Sequence, residues 1–157
     1  MNVARAAIAS VLMLVSACAA SPSPRSVDGP DVEQSFEGFI RAFNSLDWDA
    51  FSKFLAADVS LFNPDNPTAT TLHRIDGRQE VAASFRRVFD AARGNGQGPN
   101  IVPHNVRLQH LSRAAIVTFE FDRGQGSFGR RTLIFVHTSG GWKLEHVHAS
   151  NTMPGGA

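Results

Sequence analysis

The sequence predicts an α+β domain, with about three helices packed on one face of a curved, mostly antiparallel sheet. Two observations carry this. In the first half of the chain, apolar residues recur at helical spacing, as in Val32, Phe36, Phe39, Ile40 and Phe43. In the second half they alternate, as in Ala115, Val117, Phe119 and Phe121. Helices gathered on one face of an antiparallel sheet form a standard two-layer solution for burying both apolar faces.

The first segment stands apart from that domain. Met1 to Ala4 precede one positive charge, Arg5, and a mostly apolar stretch, Ala6 to Val15, leads to the small residues Ser16 and Ala17. This order reads as a secretory signal peptide, and the stretch is far short of the ~20 residues a membrane-spanning helix needs. Val15-Ser16-Ala17-Cys18 resembles the bacterial lipobox, which implies a signal over residues 1–18 and lipidation of Cys18. Ala17-Cys18-Ala19 also fits ordinary signal cleavage, which would give a soluble secreted protein. Cys18 is the only cysteine, and a lone thiol in an oxidising compartment is otherwise unexplained. Resemblance to lipoproteins with a residue other than Asp after the cysteine implies an outer-membrane or periplasm-facing envelope location. Residues 19–30 are rich in Ala, Ser and Pro and read as a flexible tether.

The domain is expected over residues 31–152, followed by a disordered tail at 153–157. Asp31 caps a helix running to Leu46. Asp47 caps a second through Trp48, Phe51 and Leu55. Val59 to Phe62 is a short strand that stops at Asn63-Pro64, and Pro64 to Thr71 is a loop. Gly77 precedes a third helix over Arg78 to Ala92, with Val81, Phe85, Val88 and Phe89 on its apolar side and Gly94 and Gly96 at its end. Val102 to Leu111, Ala114 to Asp122, Gly129 to Thr138 and Trp142 to Ser150 are strand-like, the last closing the sheet after a tight turn at Ser139-Gly140-Gly141. Thr132 to Val136 is apolar on both sides, so both its faces should be covered; this points to a homodimer packed through the convex face.

Of the 15 basic residues, Arg5 lies in the signal, leaving 14 to balance 14 acidic ones. A neutral domain has no net electrostatic reason to bind nucleic acid or an anionic lipid surface. The domain has no cysteine to form a disulfide, so its stability must come from a core, for which 12 Phe and 2 Trp supply bulk.

Several blocks resemble the SnoaL-like branch of the nuclear transport factor 2-like superfamily. They are Phe43-Asn44-Ser45-Leu46-Asp47-Trp48-Asp49-Ala50-Phe51, Arg74-Ile75-Asp76-Gly77-Arg78 and Gly129-Arg130-Arg131-Thr132. The last is followed by Gly141-Trp142-Lys143-Leu144-Glu145-His146-Val147-His148-Ala149-Ser150-Asn151. The resemblance spans residues 31–151 and implies a cone-shaped fold with a pocket between sheet and helices, and homodimers in many members. Members include isomerases, dehydratases, cyclases, hydrolases, binding modules and assembly domains, so the fold does not fix the function.

His146 and His148 lie about 7 Å apart on one side of a strand. With a two-residue Gly-Gly turn, Phe135 faces His146, Leu133 faces His148 and Arg131 faces Ser150, which puts the histidines on the pocket side; a one-residue slip would move both. The pair can act as acid and base near neutral pH or contact a ligand. It can also be structural and hydrogen-bonded. A metal site would need further ligands, and Ala149-Ser150-Asn151-Thr152 supply no carboxylate, so neither metal nor other cofactor is expected. Arg131 and Glu120 are candidate pocket charges or an exposed cross-strand pair, while Arg130 has the opposite parity. Trp48 and Phe62 can line the pocket mouth or pack in the core, and Asn151 is a further candidate contact.

The chain has no tyrosine. Ketosteroid-isomerase-like members use a Tyr hydroxyl in the oxyanion hole, and dehydratase-like members a Tyr-bound water, so neither constellation is complete here. No G-x-S-x-G or P-loop is present. The leading expectation is an envelope lipoprotein that binds a small, partly apolar molecule, with Trp48, Glu120, Arg131, His146, His148 and Asn151 as candidate contacts. The alternatives are an isomerase or dehydratase with His148 as base and Arg131 or Asn151 stabilising negative charge, and a dimerisation or docking module.

Overall fold

Two aspartates start the first two helices. In the computed structural model, which describes residues 31–63, 74–96 and 98–152, the Asp31 carboxylate accepts the Gln34 amide at 2.9 Å and opens α1 (Val32–Asn44). Asp47 accepts the Ala50 amide at 2.9 Å and opens α2 (Trp48–Ser52). Each cap satisfies an amide that has no partner within its helix. Both helices end earlier than their apolar spacing implies. Leu46 takes a left-handed backbone (φ 55), which turns the chain out of α1. Leu55 leaves α2 to open β1 (Leu55–Phe62), where it pairs with Leu144.

Beyond Asn63 the expected loop at 64–71 lies outside the described residues, as do the expected signal, tether and tail. The chain resumes in β2 (Ile75–Asp76), a two-residue strand on the edge of β1 that is too short to show a period in sequence. Helix α3 (Arg78–Gly94) follows. Val81 and Phe89 are buried as expected, whereas Val88 is 41% exposed. The Arg78 guanidinium donates to the carbonyls of Leu55 and Ser52, tying the start of α3 to the turn between α2 and β1.

Four long strands complete the sheet: β3 (His104–Leu111), β4 (Ala114–Gly124), β5 (Ser127–Thr138) and β6 (Gly141–Asn151). The six strands lie in the order β2-β1-β6-β5-β4-β3. β1 and β6 run parallel, and the other described pairs run antiparallel. The last strand, expected to close the sheet, does not take an edge. It lies inside instead, between β1 and β5, where both rows of its backbone groups find partners.

The helices cover one face only. Ala115, Val117, Phe119, Leu133, Phe135, Leu144 and Val147 point into the core from that face. Phe51 is its hub: fully buried, its ring lies 4.9 Å from Phe85, 5.1 Å from Phe89 and 5.2 Å from Phe39. The opposite face presents Ile116, Thr118, Thr132, Ile134 and Val136, all partly exposed.

The register between β5 and β6 corrects the sequence reading. The turn consists of Ser139 and Gly140, flanked by the Thr138–Gly141 pair, one residue earlier than a Gly-Gly turn. A bulge then sets in: Phe135 pairs with Leu144, but Ile134 pairs with His146, leaving Glu145 as the extra residue. His146 and His148 therefore share a face with Ile134 and Thr132, on the side away from the helices.

Candidate functional site

A cavity of about 500 Å³ opens between the sheet and the helices. Its apolar walls are Phe43 of α1, Phe85 of α3, Leu61 of β1, and Val147 and Ala149 of β6. Each strand residue owes its direction to pairing. Leu61 sits beside Val147 in the parallel pair, and the bulge at Glu145 turns Val147 and Ala149 inward after Trp142 and Leu144. Ser84, Asn63 and Asn100 add polar groups, and Asp122 and Arg123 border the cavity from the exposed end of β4.

Arg131 is the expected site residue that the structure places in this cavity wall. It shares the inward side of β5 with Leu133 and Phe135. It pairs with Ala149 rather than Ser150, a consequence of the shifted register. Its Nη1 donates to the Ser150 carbonyl at 2.9 Å, the Arg130 carbonyl at 2.8 Å and Asn151 Oδ1 at 3.3 Å. Its guanidinium carbon lies 4.8 Å from the centre of the Phe121 ring, within cation–π range. Asn151 thus reaches the site through Arg131.

The remaining candidates lie elsewhere. Glu120 is on the opposite sheet face, where it accepts from Arg130 Nε at 3.3 Å and Asn105 Nδ2 at 3.1 Å. That exposed pair leaves Arg131 out and stabilises little. Trp48 packs edge-on against Phe89 at 5.6 Å with the Arg86 guanidinium 4.2 Å above its ring, so it supports the core rather than the cavity mouth. Phe62 neither packs in the core nor lines the cavity. It is 39% exposed on the opposite face and lies 5.7 Å from His146 and 5.6 Å from His148.

The histidine pair forms a separate cluster there. His146 Nδ1 and Ser60 Oγ are 2.9 Å apart. Burial, then the nearby charges of His148 and Arg74, lower the His146 pKa from its ordinary value, with Asp76 pulling the other way. His148 is exposed. The expected pocket-side placement of both is overturned, and with it the route by which His148 would act as a base inside the cavity. Among the described residues no three His, Cys, Asp or Glu side chains gather as a metal site.

Sequence reasoning missed Phe121, Val147, Ala149 and Ser84 as site residues. The signal for the β6 pair was present. Apolar residues at 142 and 144, then at 147 and 149, skip three positions once, the mark of a bulge in an otherwise alternating strand.

Comparison with known proteins places this architecture. The SnoaL-like domain family matches residues 32–154. No curated protein matches the chain. Among solved structures, a proposed dehydratase of the NTF2-like family from Streptomyces avermitilis is similar at TM-score 0.64 and 22% identity, over 78% of this chain and 94% of that one. An NTF2-like protein of unknown function from Pseudomonas putida KT2440 is similar at TM-score 0.62 and 19% identity, over 76% and 82%. A cystatin-like fold protein from Burkholderia xenovorans LB400 is similar at TM-score 0.61 and 18% identity, over 78% and 91%. At these identities the solved structures speak for the fold alone, a cystatin-like, NTF2-like arrangement of helices on a curved, mostly antiparallel sheet. With the family match covering the whole described domain, the chain belongs to the SnoaL-like domain family.

Proposed function

We propose that the domain binds a small, partly apolar molecule in the cavity between sheet and helices. The observation that carries this reading is the cavity itself: about 500 Å³, walled by Phe43, Leu61, Phe85, Val147 and Ala149, with the charged Arg131 in the same wall. Small-molecule sites have this size and this mixture of apolar walls with a few placed polar groups. Catalysis with His148 as base gains no support, because that side chain stands on the other face of the sheet. Native mass spectrometry of the gently purified chain tests the binding reading. The wild type is expected to carry a reproducible extra mass that Ala149→Phe, which fills the cavity floor, does not. A wild type that carries no added mass and takes up no apolar acid, alcohol or amine overturns it.

We further propose a homodimer through the uncovered sheet face. Ile116, Ile134 and Val136 are half-buried there, and Phe62 and Leu111 are exposed. The charges on this face include two internally neutral pairs, Arg130–Glu120 and Arg74–Asp76, which favour contact between two copies over mutual repulsion. The envelope anchor at Cys18 is a separate proposal resting on the order of residues 1–18. Cys18→Ser is expected to move the protein from the membrane to the soluble fraction. Unchanged membrane association would refute lipidation there.

A further inference from the structure

We propose that Ser84 of α3 is the hydrogen-bonding contact for the ligand, and that the ligand carries a neutral oxygen function, hydroxyl or carbonyl, on an apolar body. This deepens, and rests on, the reading of the cavity as a binding site.

One face of α3 carries Val81, Ser84, Phe85 and Val88, at the i, i+3, i+4, i+7 spacing of a core-facing stripe. Three of these positions are apolar, and the fourth is a serine that is only 3% exposed. A serine next to helical backbone commonly turns its hydroxyl back to the carbonyl four residues earlier, as Ser45 does to Arg41 at 2.9 Å. Among the described residues the Ser84 hydroxyl has neither that partner nor another. Among the same residues no side-chain nitrogen or oxygen is sealed from open space without a partner. The Ser84 hydroxyl therefore meets open space, and the open space that Ser84 lines is the cavity.

The other polar groups of the wall are engaged or outlying. Asn63 and Arg131 are each bound up with other groups, Arg131 with the Ser150 carbonyl and Asn151 Oδ1 among them. Asp122 accepts from the Gly124 amide at 2.7 Å, and Arg123 donates to Ser127 Oγ at 3.4 Å, both within their own turn. Asn100 is exposed. Among the described wall residues, Ser84 is the one that joins deep burial to open hydrogen-bonding capacity.

The surroundings select the ligand class. A hydroxyl offers one donor and two acceptor lone pairs, so it can bond a carbonyl or another hydroxyl. The walls of Phe43, Leu61, Phe85 and Val147 give nothing to an ion stripped of water, and one neutral hydroxyl does not offset that loss. A neutral oxygen costs far less to desolvate, and its apolar body matches those walls.

Calorimetry on the purified full chain tests this with naphthalene, 2-naphthol and 2-naphthoate, which share one ring system. 2-Naphthol is expected to bind tightest. Ser84→Ala should shrink the 2-naphthol-over-naphthalene ratio about two- to tenfold, the range of one neutral hydrogen bond, and leave naphthalene binding unchanged. Ser35→Ala, the same change at a buried serine of α1 outside this cavity wall, should leave the ratio alone. Because the Ser84 hydroxyl serves no bond within the protein, Ser84→Ala should hold or raise the urea midpoint of the free chain. A clear fall in that midpoint would show that the hydroxyl serves the fold, and overturns the assignment. An unchanged ratio in Ser84→Ala overturns the role of Ser84 while leaving the cavity a binding site. Tighter binding of 2-naphthoate than of 2-naphthol overturns the neutral class. Binding of none of the three, or binding that survives Ala149→Phe, overturns the cavity reading and this one with it.

Discussion

His146 shows how much of a residue's chemistry is set by the face it occupies. On the outer face its ring stands by Ser60 and Phe62, and burial together with the charges of His148 and Arg74 makes it less basic than a free histidine. Below the ordinary histidine pKa of about 6.5, the unfolded chain therefore takes up protons more readily than the folded one. The stability change has a definite sign. It is absent above that pH, and stability falls as pH drops from there through the lower, folded-state pKa. Urea unfolding midpoints should decline between about pH 7.5 and pH 5.5 in the wild type, and decline less in His146→Asn. Equal declines would assign the acid sensitivity to other groups.

At the scale of elements, aspartate caps decide where α1 and α2 begin, and strand pairing decides where α2 ends. Asp31 and Asp47 were legible as caps because an acceptor just ahead of an apolar period has one obvious use. Asp31→Ala and Asp47→Ala should each cost about 0.5–2 kcal/mol of stability, read as a lower urea midpoint at unchanged slope. No loss in either would mean that tertiary packing alone holds the first turn. Leu55 misled the helical reading since its spacing suits α2, yet its partner is Leu144, far along the chain on β6. Phe51 ties these elements together, and Phe51→Ala should cost about 3–5 kcal/mol because five further rings, Phe39, Phe43, Trp48, Phe85 and Phe89, lose their common neighbour.

Across the whole molecule, one face of the sheet is covered by helices and the other is open. None of the described helices is long and apolar enough to cross a membrane. If the open face joins two copies, Ile134→Arg should convert a dimer to a monomer in sedimentation equilibrium, with the fold retained by circular dichroism. A wild-type monomer at micromolar concentration would reject the homodimer. The same two-faced sheet keeps two side-chain clusters apart: the cavity with Arg131 in its wall lies inside, and Ser60, Phe62, His146 and His148 lie outside.

Apart from β2, the order of elements, the α+β class, the caps and the inward set Ala115, Val117, Phe119 and Phe121 were determined by the sequence alone, because period, capping and alternation are local and need no knowledge of distant partners. So was the candidacy of Arg131. Which face each β6 residue takes was decided only by the tertiary structure. The bulge at Glu145 reversed the side on which His146 and His148 stand, whereas the move of the turn to Ser139-Gly140 by itself leaves that side unchanged. Side-chain direction alternates every residue, so a single inserted position exchanges pocket for exterior, and that position is set by how β6 satisfies β1 and β5 at once.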